Sequence, residues 1–173
     1  MNRLESALNK YVKKTQDIIL LEIKKEVIII SDDNSIKKNI EKEPEIRKMK
    51  YSIKTVAPDR IMEKKAIQKI IYGYSIIKNA PYSEITGITP KILVEYSLKN
   101  LPQSKKTMFG YALKGREGSK GILDEVDGKT VGRNALIIPE KNFTNFEGFL
   151  KFWGLKCKIT KILDMGIEEE EKR

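Results

Sequence analysis

The sequence contains no histidine and only one cysteine, Cys157. Without histidine, the chain cannot build a Ser-His-Asp or Cys-His catalytic site, and it cannot bind a metal through imidazole. One cysteine can form neither a disulfide within the chain nor a cysteine-rich zinc site. A lone thiol is typical of proteins from reducing compartments, so we expect a cytoplasmic location.

Long apolar runs are also absent. The longest apolar stretch, residues 18–30, is interrupted by Glu22, Lys24, Lys25 and Glu26. A membrane-spanning helix needs roughly 20 consecutive apolar residues. The first residues are charged and lack the apolar core of a signal peptide. The sequence therefore predicts no membrane partner.

The charge of the chain is strongly positive. With 173 residues, one domain or one domain plus an appendage is expected, and the 40% of hydrophobic residues is typical of a globular protein. Thirty-four lysines and arginines face 24 acidic residues, which gives a formal net charge of +10. This surplus indicates a polyanionic partner.

The abundance of Ile, Lys and Glu is typical of proteins from heat-loving microbes, including archaea.

The first part of the chain combines a helix with two strands. Apolar residues recur at helical spacing over residues 4–14, and the β-branched runs 17–23 and 26–30 predict a strand pair. We therefore expect a helix and β-hairpin over residues 1–35. Residues 36–57 are mostly charged and contain a proline, so we interpret them as a charged connector.

Residues 58–126 carry alternating signals for helices and strands. We predict helices over 58–79, 82–86 and 89–99, a strand over 107–113, a Gly-rich basic loop over 114–121 and a returning strand over 122–126. This order resembles a winged helix-turn-helix domain. The segments that carry the resemblance are KNAPYSEITGITPKILVEYSLKNL (78–101) and KTMFGYALKGREGSKGILDEV (106–126).

The resemblance implies DNA binding, with DNA favoured over RNA. In that family the third helix enters the major groove, and the loop between the strands contacts the backbone. The matching positions on the predicted third helix are Thr89, Lys91 and Glu95. Those on the loop are Lys114, Arg116, Ser119 and Lys120. Because the third helix has few side chains that read bases, we expect phosphate contacts to dominate.

The Gly-rich loop favours phosphate binding without reference to any family. Three cations occur in the eight residues 114–121, and the glycines among them let backbone amides approach phosphates closely. Lys105, Lys106, Lys129 and Arg133 extend the basic zone in sequence. The alternative is a solvated hairpin loop whose lysines have no function.

The C-terminal part is predicted to form a β-α-β extension over residues 127–166, followed by an acidic tail over 167–173. Helix 143–153 places Phe146, Phe149, Leu150 and Trp153 on one side, and we expect this side to seal the core. Phe152 falls off that stripe. The Phe-rich helix is therefore our candidate for a homodimer or another protein contact.

These signals together predict a mixed α/β protein. Its centre is a winged-helix-like tri-helical core with a β-hairpin. An N-terminal helix and β-hairpin precede this core, and a C-terminal β-α-β unit extends it. The leading hypothesis is a non-enzymatic DNA-binding protein, a regulator or replication-associated factor that uses no cofactor. An interaction subunit that docks through the Phe-rich helix and N-terminal hairpin is the alternative. A third reading is a metal-dependent nuclease built on Asp17, Glu22 and Lys24, or on the acidic residues 124–127.

Overall fold

The computed structural model describes residues 3–116 and 118–166. Helices and sheets are mixed along the chain, which confirms the α/β class. The chain divides into two compact units, Met1–Ile88 and Thr89–Arg173, so the division falls inside the range that was predicted as a winged-helix domain. None of the helices in the described ranges is long and apolar enough to cross a membrane.

The N-terminal unit is built on a five-stranded sheet. Its elements are α1 (Arg3–Asn9), β1 (Asp17–Leu21), β2 (Glu26–Ile30), α2 (Ser35–Glu41), α3 (Pro44–Met49), β3 (Ser52–Val56), α4 (Lys64–Ile70), β4 (Tyr74–Ser75), β5 (Ala80–Pro81) and α5 (Tyr82–Thr86). The strand order is β3-β2-β1-β4-β5. Strands β1 and β2 form an antiparallel hairpin, and β3 runs parallel to β2.

Both faces of the β1–β2 hairpin are covered, because every residue of the two strands is buried. On one face, side chains of α1, α2 and α3 join the strands in one aliphatic cluster. On the other, a Cβ atom on Gly73 would lie 2.2 Å from Ile19 Cγ2, so the backbone after α4 contacts the strand closely. Continuous apolar runs are the sequence signature of strands buried on two faces, and the predicted strand pair is confirmed.

The predicted connector over residues 36–57 is wrong. This segment forms most of α2, then α3 and β3, and Ile36, Ile40, Ile46 and Ile53 are buried in the core. The isoleucines occur singly among charged residues, which made the segment look solvated. Pro44 starts α3 at a position where the missing N–H has no helical partner to lose.

The C-terminal unit contains a four-stranded antiparallel sheet in the order β11-β6-β10-β9. Its elements are β6 (Thr89–Ser97), α6 (Gln103–Lys114), β7 (Gly115–Arg116), β8 (Ser119–Lys120), α7 (Ile122–Glu125), β9 (Lys129–Gly132), β10 (Ala135–Pro139), α8 (Phe143–Phe152) and β11 (Lys156–Asp164). With β7, β8 and α7 as an insertion, this is the β-α-β-β-α-β succession of the ferredoxin-like split motif.

The core of this unit lies between the sheet and its helices. Alternate residues of β6 and β10 are buried, and they form one cluster with side chains of α6, α7 and α8. The predicted β-α-β order of residues 134–163 is confirmed by β10, α8 and β11, with β6 lying between the two strands. The acidic tail 167–173 lies outside the described residues.

Several elements of the winged-helix prediction are wrong. Residues 89–97 form a strand instead of a recognition helix, 107–113 belong to α6, and 122–125 form α7. The buried residues Ile92, Val94 and Tyr96 alternate, as a strand requires. The predicted helix 58–79 is reduced to a 3-10 turn (Pro58–Arg60) and α4, whereas the short helix 82–86 is confirmed.

Candidate nucleic-acid interface

Helix α6 and the β7–β8 hairpin that follows it carry most of the predicted binding residues. These residues are Lys105, Lys106, Lys114, Arg116, Ser119 and Lys120. The hairpin therefore continues directly from the helix. We call the exposed side of α6, together with Arg116 and Lys120, the α6–hairpin surface.

The orientation of α6 is fixed by its buried side. Phe109 and Leu113 are four residues apart and are buried in the core. The Phe109 ring lies 5.5 Å from the rings of Phe149 and Trp153. The opposite side of the helix therefore faces solvent, and it exposes Met108 by 60% and Tyr111 by 49%.

The hairpin is tight because glycines allow its two strands to approach. Gly115 and Gly118 have positive φ angles of 84° and 80°. A Cβ atom on Gly115 would lie 2.1 Å from the carbonyl oxygen of Ser119, so no side chain fits there. The Ser119 hydroxyl donates to the Arg116 carbonyl (3.1 Å) and accepts from the Arg116 N–H (3.3 Å). Ser119 thus closes the hairpin through the hydroxyl that was predicted to contact a ligand.

Arg116 connects the hairpin to the helix. Its guanidinium carbon lies 5.4 Å from the centre of the Tyr111 ring, within the range of a cation–π contact. The contact holds the arginine over the exposed side of α6, where its donors remain available. Tyr111 therefore serves as a platform for a cation, a role that the sequence prediction missed by placing this residue in a strand.

No carboxylate among residues 3–116 and 118–166 forms an ion pair with the cations of this surface. In the described ranges of the C-terminal unit, the ion pairs are Lys91–Asp164, Lys151–Glu147, Lys158–Glu95 and Lys161–Glu140. None of them involves Lys105, Lys106, Lys114, Arg116 or Lys120. Helix α6 itself contains no acidic residue. The α6–hairpin surface is therefore a region of unpaired positive charge.

The structure separates the remaining predicted residues from this surface. Thr89 and Lys91 lie on β6, where Lys91 pairs with Asp164 and lowers the pKa of that carboxyl group. Lys129 lies on β9, and Arg133 follows in the turn to β10. The predicted basic zone over residues 105–133 is therefore split between a helix with its hairpin and the far edge of the sheet.

The residues of the nuclease hypothesis do not form one site: Asp17 is buried and hydrogen-bonded, whereas Glu22 and Lys24 lie in an exposed turn. Asp17 is 3% exposed, and its carboxylate accepts hydrogen bonds from the Ser75 hydroxyl (2.6 Å) and the Ile18 N–H (2.8 Å). Glu22 and Lys24 are exposed in the turn between β1 and β2. Over residues 3–116 and 118–166, no group of three or more acidic or cysteine side chains could hold a metal ion.

The Phe-rich helix divides its aromatic residues as the sequence predicts. Phe146 is fully buried, and Phe149 and Trp153 pack against the same core. Phe152 is 82% exposed and contacts Trp153 edge to face, with the ring centres 5.8 Å apart. The exposed ring is the one apolar side chain of α8 that is available to a partner among the described positions.

Comparison of the chain with protein-family models, with curated proteins and with solved structures gave no match. The function is therefore argued from the chemistry of the candidate site, because a fold alone does not specify function.

Proposed function

We propose that this protein binds DNA through the α6–hairpin surface. The observation that carries the proposal is the group of cations on that surface without an ion pair among the described residues, beside a sheet in which Lys91, Lys158 and Lys161 are paired with carboxylates. Unpaired lysines and arginines attract phosphates and release condensed counterions when they bind. The hairpin carries two of these cations, Arg116 and Lys120, directly beyond the end of α6.

The cations that lie together are those at the end of α6 and in the hairpin. Lys114 directly precedes the hairpin, in which Gly115 pairs with Lys120 and Arg116 with Ser119. Lys105 is nine residues from Lys114 and projects from the opposite side of the helix, because each residue turns an α-helix by about 100°. Exposed Met108 and Tyr111 lie one turn apart on the solvent side of α6 and can contact sugars or stack on an unpaired base.

The composition of the surface favours binding with little sequence preference. Lysine acts as a point charge toward phosphate, and the described surface offers Arg116 as its single bidentate donor. We therefore assign the protein to a role in which affinity for the DNA backbone matters more than direct base reading. A replication-associated factor or a broad regulator fits this requirement.

The test replaces the cations at the end of α6 and in the hairpin. The triple variant Lys114→Ala, Arg116→Ala, Lys120→Ala removes three phosphate contacts, each of which contributes about 0.9 to the log-log dependence of affinity on salt. Fluorescence anisotropy with a labelled duplex over a range of salt should give a slope smaller by about two to three units.

A matched control separates this surface from the general positive charge of the chain. The triple variant Lys151→Ala, Lys158→Ala, Lys161→Ala removes the same number of charges, but each of these lysines is paired with a glutamate. We expect its salt slope to stay within about one unit of the unmodified protein. Equal effects of the two triple variants would refute the assignment to the α6–hairpin surface.

A second candidate function is an interaction subunit, and the exposed Phe152 ring is the observation that favours it. All residues of β1 and β2 are buried, so the part of the N-terminal hairpin that is open to a partner is its turn, where Ile23 is exposed. Gel filtration with and without duplex DNA distinguishes the two functions. Self-association without a shift on DNA addition would favour the interaction subunit over DNA binding.

A further inference from the structure

A cavity of about 270 Å³ lies within the N-terminal unit, between the end of β3 and helix α4. Its charged lining consists of Lys54, Arg60, Lys65, Lys69 and a single acidic side chain, Glu63. None of these residues was singled out by the sequence prediction. The four cations are separated in sequence by four to six positions, and they line one cavity because α4 lies beside the end of β3.

Two of the cations are held in place by carboxylates. The Arg60 guanidinium donates to both oxygens of Glu63, at 2.7 and 3.0 Å, and this fork lowers the pKa of Glu63. Lys54 pairs with Glu26, which is 5% exposed, and the ion pair raises the pKa of Lys54. Asp59, which does not line the cavity, attracts Arg60 more weakly.

The other two cations have no carboxylate partner. Lys65 and Lys69 are exposed, lie one helical turn apart on α4, and form no ion pair within the described part of the chain. With Lys54 and Arg60 neutralised by Glu26 and Glu63, the cavity retains about two positive charges. Like charges this close repel each other, so an anion between them would relieve the repulsion.

We propose that this cavity binds the phosphate group of a small phosphorylated molecule. Lys65 and Lys69 supply the unpaired charge, while Lys54 and Arg60 are oriented in advance by their carboxylates. The aliphatic side chains of Ile28 and Val56, which also line the cavity, offer an apolar wall for the rest of the ligand. Its volume of about 270 Å³ lies just below the range of about 300–1,000 Å³ that is typical of small-molecule sites, which suits a small ligand.

This site is independent of the proposed DNA interface. It is built entirely from residues of the N-terminal unit, whereas the α6–hairpin surface belongs to the C-terminal unit. Substitutions at one site therefore leave the residues of the other site unchanged, and the two proposals can fail separately. The ligand classes also differ, since a cavity of this size accepts a small molecule and not a nucleic-acid segment.

The test is calorimetric titration of the full chain with inorganic pyrophosphate at low salt. The double variant Lys65→Ala, Lys69→Ala should weaken binding by about tenfold or more, since it removes both charges that have no carboxylate partner. The variant Lys65→Arg, Lys69→Arg keeps both charges and should retain affinity within about threefold. Circular dichroism should give unchanged spectra for both, because the two side chains are exposed.

The matched control removes two lysines of the same unit that form no ion pair among the described residues, Lys38→Ala on α2 and Lys48→Ala on α3, and it should bind pyrophosphate as the unmodified protein does. Equal weakening by both double variants would overturn the proposal, because net charge would then explain the effect. Absence of pyrophosphate binding at millimolar concentration would overturn it as well. If the double variant Lys65→Ala, Lys69→Ala binds a single-stranded oligonucleotide more weakly but binds pyrophosphate as before, the cavity binds nucleic acid. That result would overturn the proposal of a small-ligand site.

Discussion

The two units of the chain achieve a buried core with different residues. The core of the N-terminal unit is almost entirely aliphatic, and it also buries the polar side chains Asp17, Glu26, Ser31 and Ser75. The core of the C-terminal unit is organised around aromatic rings, and no polar or charged residue is buried among its described positions. The comparison suggests two ways of fixing a unique packing.

Polar pairs connect neighbouring strands in the N-terminal unit. Ser75 on β4 donates to Asp17 on β1, and Lys54 on β3 pairs with Glu26 on β2. A run of similar isoleucines packs almost equally well in several registers, whereas a misplaced buried carboxylate loses its partner. We infer that these pairs specify strand register, because the aliphatic side chains of this core discriminate poorly between alternative registers.

Aromatic contacts take this role in the C-terminal unit. The Phe109 ring lies 5.4–5.5 Å from the rings of Tyr96, Phe149 and Trp153, at interplanar angles from 35° to 85°. Each ring is a flat and rigid body, so few arrangements fill the same space. The helix–sheet packing of this unit therefore depends on a small number of large side chains.

The largest effect is expected from Phe109→Ala, which removes the ring shared by these contacts. Phe109 is 1% exposed, and truncation of a buried phenylalanine costs about 3–5 kcal/mol of unfolding free energy. Urea unfolding followed by the fluorescence of Trp153, the only tryptophan of the chain, measures the loss directly. A loss below about 1 kcal/mol would contradict the central role of this ring.

A smaller effect is expected from Ser75→Ala, which leaves the buried Asp17 carboxylate without its side-chain donor. The Ser75 oxygen also accepts a hydrogen bond from the Lys78 N–H (3.0 Å). An unsatisfied buried group costs about 1–3 kcal/mol. Urea unfolding followed by far-ultraviolet circular dichroism provides the measurement.

A double-mutant cycle with Asp17→Asn shows whether the two side chains act as a pair. If they do, the double variant should lose less stability than the sum of the single variants, with a coupling of about 0.5–3 kcal/mol. Additive losses would show that Ser75 and Asp17 act separately. They would contradict the inference that polar pairs specify the packing of the N-terminal unit.

The same contrast explains which elements could be predicted from sequence. Strands β1 and β2 were predictable because burial on both faces leaves a continuous apolar run. Strand β6 was not, because Thr89 and Pro90 imitate a helix start and its apolar residues also occur at helical spacing. Pairing with β10 and β11 on its two sides overrides that local signal.

The prediction for the α6 segment was wrong for the opposite reason: a helix was taken for a strand. Phe109 and Tyr111 are two residues apart, which imitates strand alternation, but only Phe109 is buried. The informative pair is Phe109 and Leu113, at helical spacing. The cations of the candidate site could be predicted as residues but not as a surface. Whether a predicted cation is neutralised depends on carboxylates distant in sequence: Lys91 pairs with Asp164, which lies 73 positions away.

An effect of about 1 kcal/mol is expected from Tyr11→Phe. The Tyr11 hydroxyl donates to Glu43 Oε1 (2.7 Å), and this hydrogen bond raises the pKa of Tyr11 to about 12. A pKa above the ordinary value of 10.0 stabilises the fold while the phenol is protonated. This contribution is complete below pH 10 and is lost as the pH rises to about 12.

The pH profile distinguishes this hydrogen bond from simple packing of the ring. The stability difference between the unmodified protein and Tyr11→Phe should be constant below pH 10 and should shrink between pH 10 and about 12. Denaturant unfolding across this range measures it. A difference that does not change with pH would mean that the hydroxyl contributes nothing through Glu43.

The smallest effect is expected from Phe152→Ser, because the ring is 82% exposed and touches only the edge of Trp153 among the aromatic residues. Its unfolding free energy should stay within about 0.5 kcal/mol of the unmodified protein. The matched variant Phe149→Ser removes a ring of the same helix that contacts Phe109 and Phe146, and it should be clearly less stable. A large loss on Phe152→Ser would place this residue in the aromatic core. If it stays folded and self-association seen by gel filtration disappears, the exposed ring acts in binding a partner and not in holding the unit together.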